Sequence, residues 1–189
     1  AGALAFSLLG NHKLKVLHLK NNKIGDQGVE QLADMLADEH KLCYLKELNL
    51  AWNNFGHAGA MAIAEALKVN IRLTHLYMPW NGLESEGTMF ICAALSENAT
   101  LNLLDLSHTR AGPETCLVLS AALRLNDTLE QLHLNGNPLG ADGGRHLMWG
   151  LHISKSITTL GVQGCVFAKE GPVADMVGYA DVNLQHPDD

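Results

Sequence analysis

The chain has 189 residues, 47% of them hydrophobic, and a formal charge of -7. That length suits a single domain, and the acidic balance argues against nucleic acid, which selects basic patches that release counterions. No apolar run reaches the roughly 18 residues of a membrane span, so no membrane insertion is expected.

The first segment, residues 1–10, is apolar but carries neither an initiating Met nor the basic region of a signal peptide. In register it aligns with residues 60–69, with Leu4 in the place of Ile63 and Leu8 in that of Leu67. It reads as the helical half of a truncated repeat with its apolar face open. The chain is therefore expected to be a piece of a longer protein or assembly.

From residue 14 a leucine pattern recurs. Leu14, Leu17 and Leu19 precede Asn22, and Leu45, Leu48 and Leu50 precede Asn53. Leu73, Leu76 and Met78 lead to Asn81, and Leu101, Leu104 and Leu106 lead to Thr109. Leu129, Leu132 and Leu134 lead to Asn137, and Ile157, Leu160 and Val162 lead to Cys165. The units start at 14, 45, 73, 101, 129 and 157, a spacing of 31 once and then 28 four times. Such a period marks a stacked repeat, in which each unit buries its apolar face only against its neighbours.

Each unit opens with a short strand, because alternation around L-x-L is a period-two signal. Leu17 and Leu19 point inward, and Val16, His18 and Lys20 outward. The Asn that follows turns the chain and can bond backbone groups of its own and the adjacent repeat. Glycine pairs such as Gly25 with Gly28 and Gly56 with Gly59 come next, where glycine permits an unusual φ or a close approach. The second half of each unit is helical. Leu32, Ala33 and Leu36 recur as Ile63, Ala64 and Leu67, then as Ile91, Cys92 and Leu95. Leu119, Ser120 and Leu123, then Leu147, Met148 and Leu151, complete this buried column. Asn70, Asn98 and Asn126 follow the last helical turn, where a left-handed C-cap is expected.

Departures from the pattern carry information. Three extra residues fall near 38–43 and lengthen a loop, and Thr109 in place of Asn weakens its turn. The sixth unit loses its helical pattern, with Pro172 and Asp175 at helical positions, while residues 179–184 alternate like a strand. Residues 172–189 read as an atypical C-terminal cap with a loose tail from His186, the whole of 1–189 being one domain.

The run L-x-x-L-x-L-x-x-N, continued by x-[Ile/Leu]-Gly-x-x-Gly and a helix, resembles the leucine-rich repeats of the ribonuclease-inhibitor type over residues 1–171. The resemblance implies an α/β fold: a right-handed solenoid, a horseshoe segment with parallel strands on the concave face and helices on the convex one. It implies protein binding, as in inhibitors, in sensor modules of intracellular immune receptors and in components of cilia. A GTPase activator of similar repeats is the alternative from another class.

The concave columns supply the candidate protein-binding surface. The position one before the turn Asn reads Asn21, Trp52, Trp80, His108, Gly136 and Gly164. Adjacent parallel strands lie about 4.8 Å apart, so Trp52 and Trp80 are near neighbours, with Tyr77 on the same strand as Trp80. Glu47, Asn49, His75, Asp105, His108, Gln131 and His133 form the polar surround. Trp and Tyr are enriched at interface hot spots. The competing reading is that the two indoles only shield the solenoid edge.

Remaining motifs are read as structural. His18, His75, His108 and His133 lie on separate repeats without the spacing of a zinc site. Cys43, Cys92, Cys116 and Cys165 show no C-x-x-C and read as small buried hydrophobes, with zinc or a disulfide as the alternatives. Two sequons, at Asn98 and Asn126, fall on a repeat position where the turn itself demands Asn. No nucleophile elbow, Walker loop or carboxylate pair occurs. The expectation is a non-enzymatic scaffold without cofactor, intracellular and cytoplasmic. A ciliary, flagellar or other cytoskeletal complex is its expected setting, and a GTPase-activating or immune-receptor sensor module the alternative.

Overall fold

A computed structural model describes residues 2–38, 43–167 and 182–183. Helices and strands alternate: α1 (Gly2–Leu8), β1 (Val16–His18), α2 (Gly25–Leu36), β2 (Glu47–Asn49) and α3 (His57–Val69). Then follow β3 (His75–Tyr77), α4 (Glu84–Ala94), β4 (Leu103–Asp105), α5 (Pro113–Leu123), β5 (Gln131–His133), α6 (Gly140–Ile153), β6 (Thr159–Gly161) and β7 (Val182–Asn183). Strands β1 to β6 pair in parallel, each with the next in the chain, and β7 pairs antiparallel with β6. Strands of three residues suffice because β2 to β6 each have a neighbour on either side to complete the ladder.

The register is set by the leucines. Leu17, Leu48, Leu76, Leu104, Leu132 and Leu160 lie side by side across the sheet. From Leu48 onward this column is sealed from solvent, as are Leu45, Leu73, Leu101 and Leu129 before it and Leu50, Met78, Leu106 and Leu134 after it. Leu14, Leu17 and Leu19 of the first unit are only partly buried. The helical column behaves as its spacing predicts through α5, and Leu147 is buried in α6, but Met148 is 43% exposed and Leu151 half-buried. Likewise Leu8 of α1 is buried while Leu4 is 37% exposed. A repeat core is closed by two neighbours, and each exception lies on a helix with only one described helix packed against it.

Asparagines stitch the units together. Asn53 Nδ2 donates to the Leu50 carbonyl of its own unit at 3.0 Å and to the Leu19 carbonyl of the preceding one at 2.9 Å. Its Oδ1 accepts from the Asn22 N–H at 2.9 Å. Asn81 and Asn137 repeat this arrangement. At the fourth unit Thr109 Oγ1 donates to the Leu106 carbonyl at 2.7 Å; a hydroxyl has one proton, so it cannot serve two carbonyls as an amide does. Cys165 keeps the link between units, its Sγ lying 3.1 Å from the Leu134 carbonyl.

The expected left-handed caps at Asn70, Asn98 and Asn126 do not form. Asn70 ends α3 with φ -74 and ψ 129, and neither Asn98 nor Asn126 has a positive φ. These residues build a second asparagine ladder instead. The Asn126 amide donates to the Leu95 carbonyl at the end of the preceding unit's helix, and its Oδ1 accepts from Thr128 and Leu129. Asn98 and Asn70 do the same one and two units earlier. An Asn side chain can hold a turn through its carbonyl without any left-handed backbone. The sequon asparagines are thus buried with their amide nitrogens committed.

Helix starts alternate in a way the repeat length conceals. The residue preceding α3 (Gly56) and α5 (Gly112) is extended, with φ -111 and -102, whereas α2, α4 and α6 follow a helical residue. The extended starts are capped from the preceding unit: Asp26 accepts from Gly56 and Gly59, and Ser85 accepts from Gly112. The structural repeat is therefore a pair of units.

The insertion loop at 39–42 lies outside the described residues, as does the cap apart from 182–183, which forms the β-strand within the expected 179–184 segment.

Candidate protein-recognition surface

Outward residues of the strands form rows fixed by the register. Glu47, His75, Leu103 and Gln131 make one row; Asn49, Tyr77, Asp105 and His133 make the next. The sequence-derived set is thereby gathered on four adjacent strands, with Gln131 and His133 two strands away from Tyr77. Leu103 sits in this row though sequence reading passed over it; it is 7% exposed. Glu47 Oε1 lies 2.9 Å from His18 Nε2, which ties the first two strands together. Burial pushes the Tyr77 phenol pKa upward, and the negative charges of Glu47 and Asp105 push it further. The hydroxyl therefore stays protonated and can donate to a partner's acceptor.

Just beyond the strands the chain turns through the column Asn21, Trp52, Trp80, His108, Gly136 and Gly164. All six are left-handed, with φ of 60, 58, 59, 54, 65 and 68 respectively. This region is sterically open to glycine and tolerable for Asn, but for a bulky side chain it costs about 1–2 kcal/mol. Three bulky rings nevertheless occupy it in consecutive units. Trp52 and Trp80 stack with centroids 4.6 Å apart and planes at 15°. Trp80 and His108 stack at 3.9 Å and 13°. Gly136 lies under the other face of His108, where a Cβ would overlap the imidazole ring. His108, expected among the polar surround, is thus the third member of an aromatic stack.

The stack projects outward rather than folding over the core, since Trp52 and Trp80 are each 45% exposed. Beside it opens a cleft of ≈ 620 Å³ lined by Trp80, His108, Arg110, Asp26 and Asn54, among others. Arg110 lies 3.6 Å from Glu84, an exposed pair that contributes little energy but keeps both charges at the rim. The third tryptophan, Trp149, is on α6 and takes no part. Sequence reading missed Asp26, Arg110 and the strained backbone; the signal available was glycine at two of the six column positions.

Among the described residues no group of three His, Cys, Asp or Glu side chains is placed to hold a metal ion. The four cysteines are free and buried. No described helix is long and apolar enough to cross a membrane.

The geometry of one strand, one Asn-anchored turn and one helix per unit meets its counterpart in known proteins. The Leucine Rich repeat family model matches residues 10–33, 41–64 and 125–148. The molecule is an α/β solenoid of parallel strands and helices that carries leucine-rich repeats over those residues, the architecture of a protein–protein interaction module. Among curated proteins it is similar to NACHT, LRR and PYD domains-containing protein 3 of Rattus norvegicus, 36% identical over 75 residues. The Mus musculus protein of the same name is 35% identical over 75 residues. Those 75 residues are 40% of this chain and only 7% of either relative. Among solved structures, one titled Leiomodin-1 Actin-Binding Site 2 superposes with a TM-score of 0.63 at 23% identity, covering 79% of this chain and 88% of the other. The tropomodulin C-terminal domain of Caenorhabditis elegans gives 0.65 at 13% identity, covering 80% and 90%. At such identities these two share the fold alone.

Proposed function

We propose that this chain recognises a protein partner through its strand face and the Trp52–Trp80–His108 stack, as part of a sensor-type leucine-rich-repeat module. The observation that carries the reading is the strain in that column. Gly136 and Gly164 show that the fold accepts glycine there without cost, yet three consecutive units hold large rings in the same backbone conformation. Strain retained against a cheaper residue is characteristic of functional sites, and half-exposed aromatic side chains flanked by polar groups are what interface hot spots are made of. Tyr77, His75, Glu47, Asn49 and Asp105 would surround the partner, with Gln131 and His133 at the far rim.

The sensor-module setting draws its support from the relatives at 35–36% identity, whose names place leucine-rich repeats beside NACHT and PYD domains. The ciliary or cytoskeletal setting has only fold likeness behind it. No residue of this chain argues for a GTPase activator.

The test is affinity capture from cell lysate with the wild-type chain and a Trp52→Ala/Trp80→Ala variant, both checked for folding by circular dichroism. Partners lost from the double variant alone support the reading. Identical partner sets would move the interface to the helices and leave the rings as edge shielding.

A further inference from the structure

The opposite edge of the sheet, where the strands begin, carries a charge pattern that the aromatic stack does not explain. The position before each unit's first leucine reads Lys13, Tyr44, Arg72, Thr100, Thr128 and Ser156. Two residues on, the column reads Lys15, Lys46, Thr74, Asn102, Glu130 and Thr158. The cations of both columns, Lys13, Lys15, Lys46 and Arg72, fall in the first three units, and the later three have none in either column.

The backbone brings these positions together, for Lys46 N–H donates to the Lys15 carbonyl at 2.7 Å and Thr74 N–H to the Lys46 carbonyl at 2.8 Å. At the centre is the Tyr44 ring. Lys15 Nζ lies 4.7 Å from its centroid and Arg72 Cζ 4.8 Å, while His12 meets it edge-on at 4.8 Å. Lys13, Lys15 and Lys46 are exposed, and the Arg72 Nε is buried with no hydrogen-bond partner. Two like charges gathered on one ring repel each other, and the cation–π attraction that offsets this is only about 0.5–1 kcal/mol each at exposed sites. Several described acids of the same units lie elsewhere. Asp26, Glu30 and Asp34, four residues apart, share one face of α2. Glu47 is engaged by His18, and Asp38 lies past the end of α2.

We propose that this basic edge, centred on Tyr44 with Lys13, Lys15, Lys46 and Arg72, docks an extended acidic segment of a protein partner. Successive units set the cations about one strand spacing apart, which suits carboxylates distributed along a chain. Tyr44 holds Lys15 and Arg72 in place beforehand, which lowers the ordering cost of binding. Nucleic acid is disfavoured because the acidic face of α2 and a net charge of -7 repel a long polyanion. The site does not depend on the aromatic stack, which lies at the other end of the strands.

Fluorescence anisotropy with a labelled oligo-glutamate peptide at low salt tests this on the whole chain. The wild-type protein is expected to bind, with affinity falling as salt rises. Lys15→Glu/Lys46→Glu is expected to weaken binding about tenfold or more, and Lys68→Glu on the helix side to leave it unchanged. The Trp52→Ala/Trp80→Ala variant should bind the peptide normally, so failure of the edge and failure of the stack read out separately. Circular dichroism confirms folding, and Lys13→Glu replaces the double variant if that one unfolds. Absence of binding by the wild-type chain, equal binding by the charge-reversed variant, or displacement of the peptide by an equally charged single-stranded oligonucleotide would each overturn the proposal.

Discussion

The His108 imidazole lies parallel to the Trp80 indole, centroids 3.9 Å apart, and its far side rests on the bare backbone of Gly136. The stack therefore ends where the sequence changes from rings to glycine. Aromatic pairs of this kind contribute about 0.5–1.5 kcal/mol beyond their area, so Trp80, with a ring on each side, gains from both neighbours. Part of that gain offsets its left-handed backbone.

This balance separates two substitutions at one position. Trp80→Ala loses both stacks and keeps a Cβ in the left-handed region, whereas Trp80→Gly loses the stacks but relieves the backbone. The glycine variant should be the more stable of the two by about 1 kcal/mol. Urea unfolding of both variants checks it. An alanine variant as stable as the glycine one would mean the backbone at Trp80 carries no strain.

The second asparagine ladder predicts a contrast along the chain. Asn126 is buried, donates to the Leu95 and Asn98 carbonyls, and accepts from the Thr128 and Leu129 N–H groups. Asn126→Ala strands these groups where water does not reach, at about 1–3 kcal/mol for each one left unsatisfied. Asn11 stands at the same repeat position but is exposed, and among the described residues only Lys13 and Leu14 donate to its side chain. Asn11→Ala should cost about 1 kcal/mol or less. Thermal melts of the two variants compare them, and equal losses would remove the argument from burial.

The strand leucines and the first asparagine ladder were legible in the sequence because both depend on residue type at a fixed spacing. Leu48, Leu76 and Asn53 have one plausible role at their places in the period. Asn126 did not, since asparagine suits both a left-handed cap and a side-chain-held turn, and only the carbonyl of Leu95 in the neighbouring unit selects between them. The column of Trp52, Trp80 and His108 was legible as a surface but not as strained backbone, because φ leaves no trace in hydrophobicity. Gly136 and Gly164 were the sole hint. Asp26 was hidden for another reason: it caps a helix one unit further on, and nothing in the local sequence of α2 signals that.

Thr109 offers a test by gain. Its hydroxyl serves the Leu106 carbonyl, whereas Asn81 and Asn137 at equivalent positions each serve two units. Thr109→Asn places the amide that the surrounding geometry already accommodates one unit before and one after. Restoring the missing link should stabilise the chain by about 1 kcal/mol. A rise in the urea midpoint is the expected result; a fall would show that the fourth turn has packed too closely around threonine to admit the longer side chain.

Burial of the cysteines sets an alkaline limit on stability. Burial raises the Cys116 thiol from 9.0 to about 12, with the nearby Cys165 adding to the shift. Burial also raises Cys92, with Cys116 adding to it. A thiol whose pKa is higher folded than unfolded favours the folded state fully below the unfolded value. That advantage is lost as the pH climbs toward the folded value, because only the unfolded chain ionises in between. Stability measured by urea unfolding should therefore hold steady up to about pH 9 and decline above it. Cys116→Ala, in a helix position that repeats elsewhere fill with small residues, should flatten part of the decline. In the same terms a thiol reagent at neutral pH should label Cys92 and Cys116 only after unfolding, since the thiolate is the reactive form. Rapid labelling of either in the folded chain would mean that the stacked helices open locally between α4 and α5.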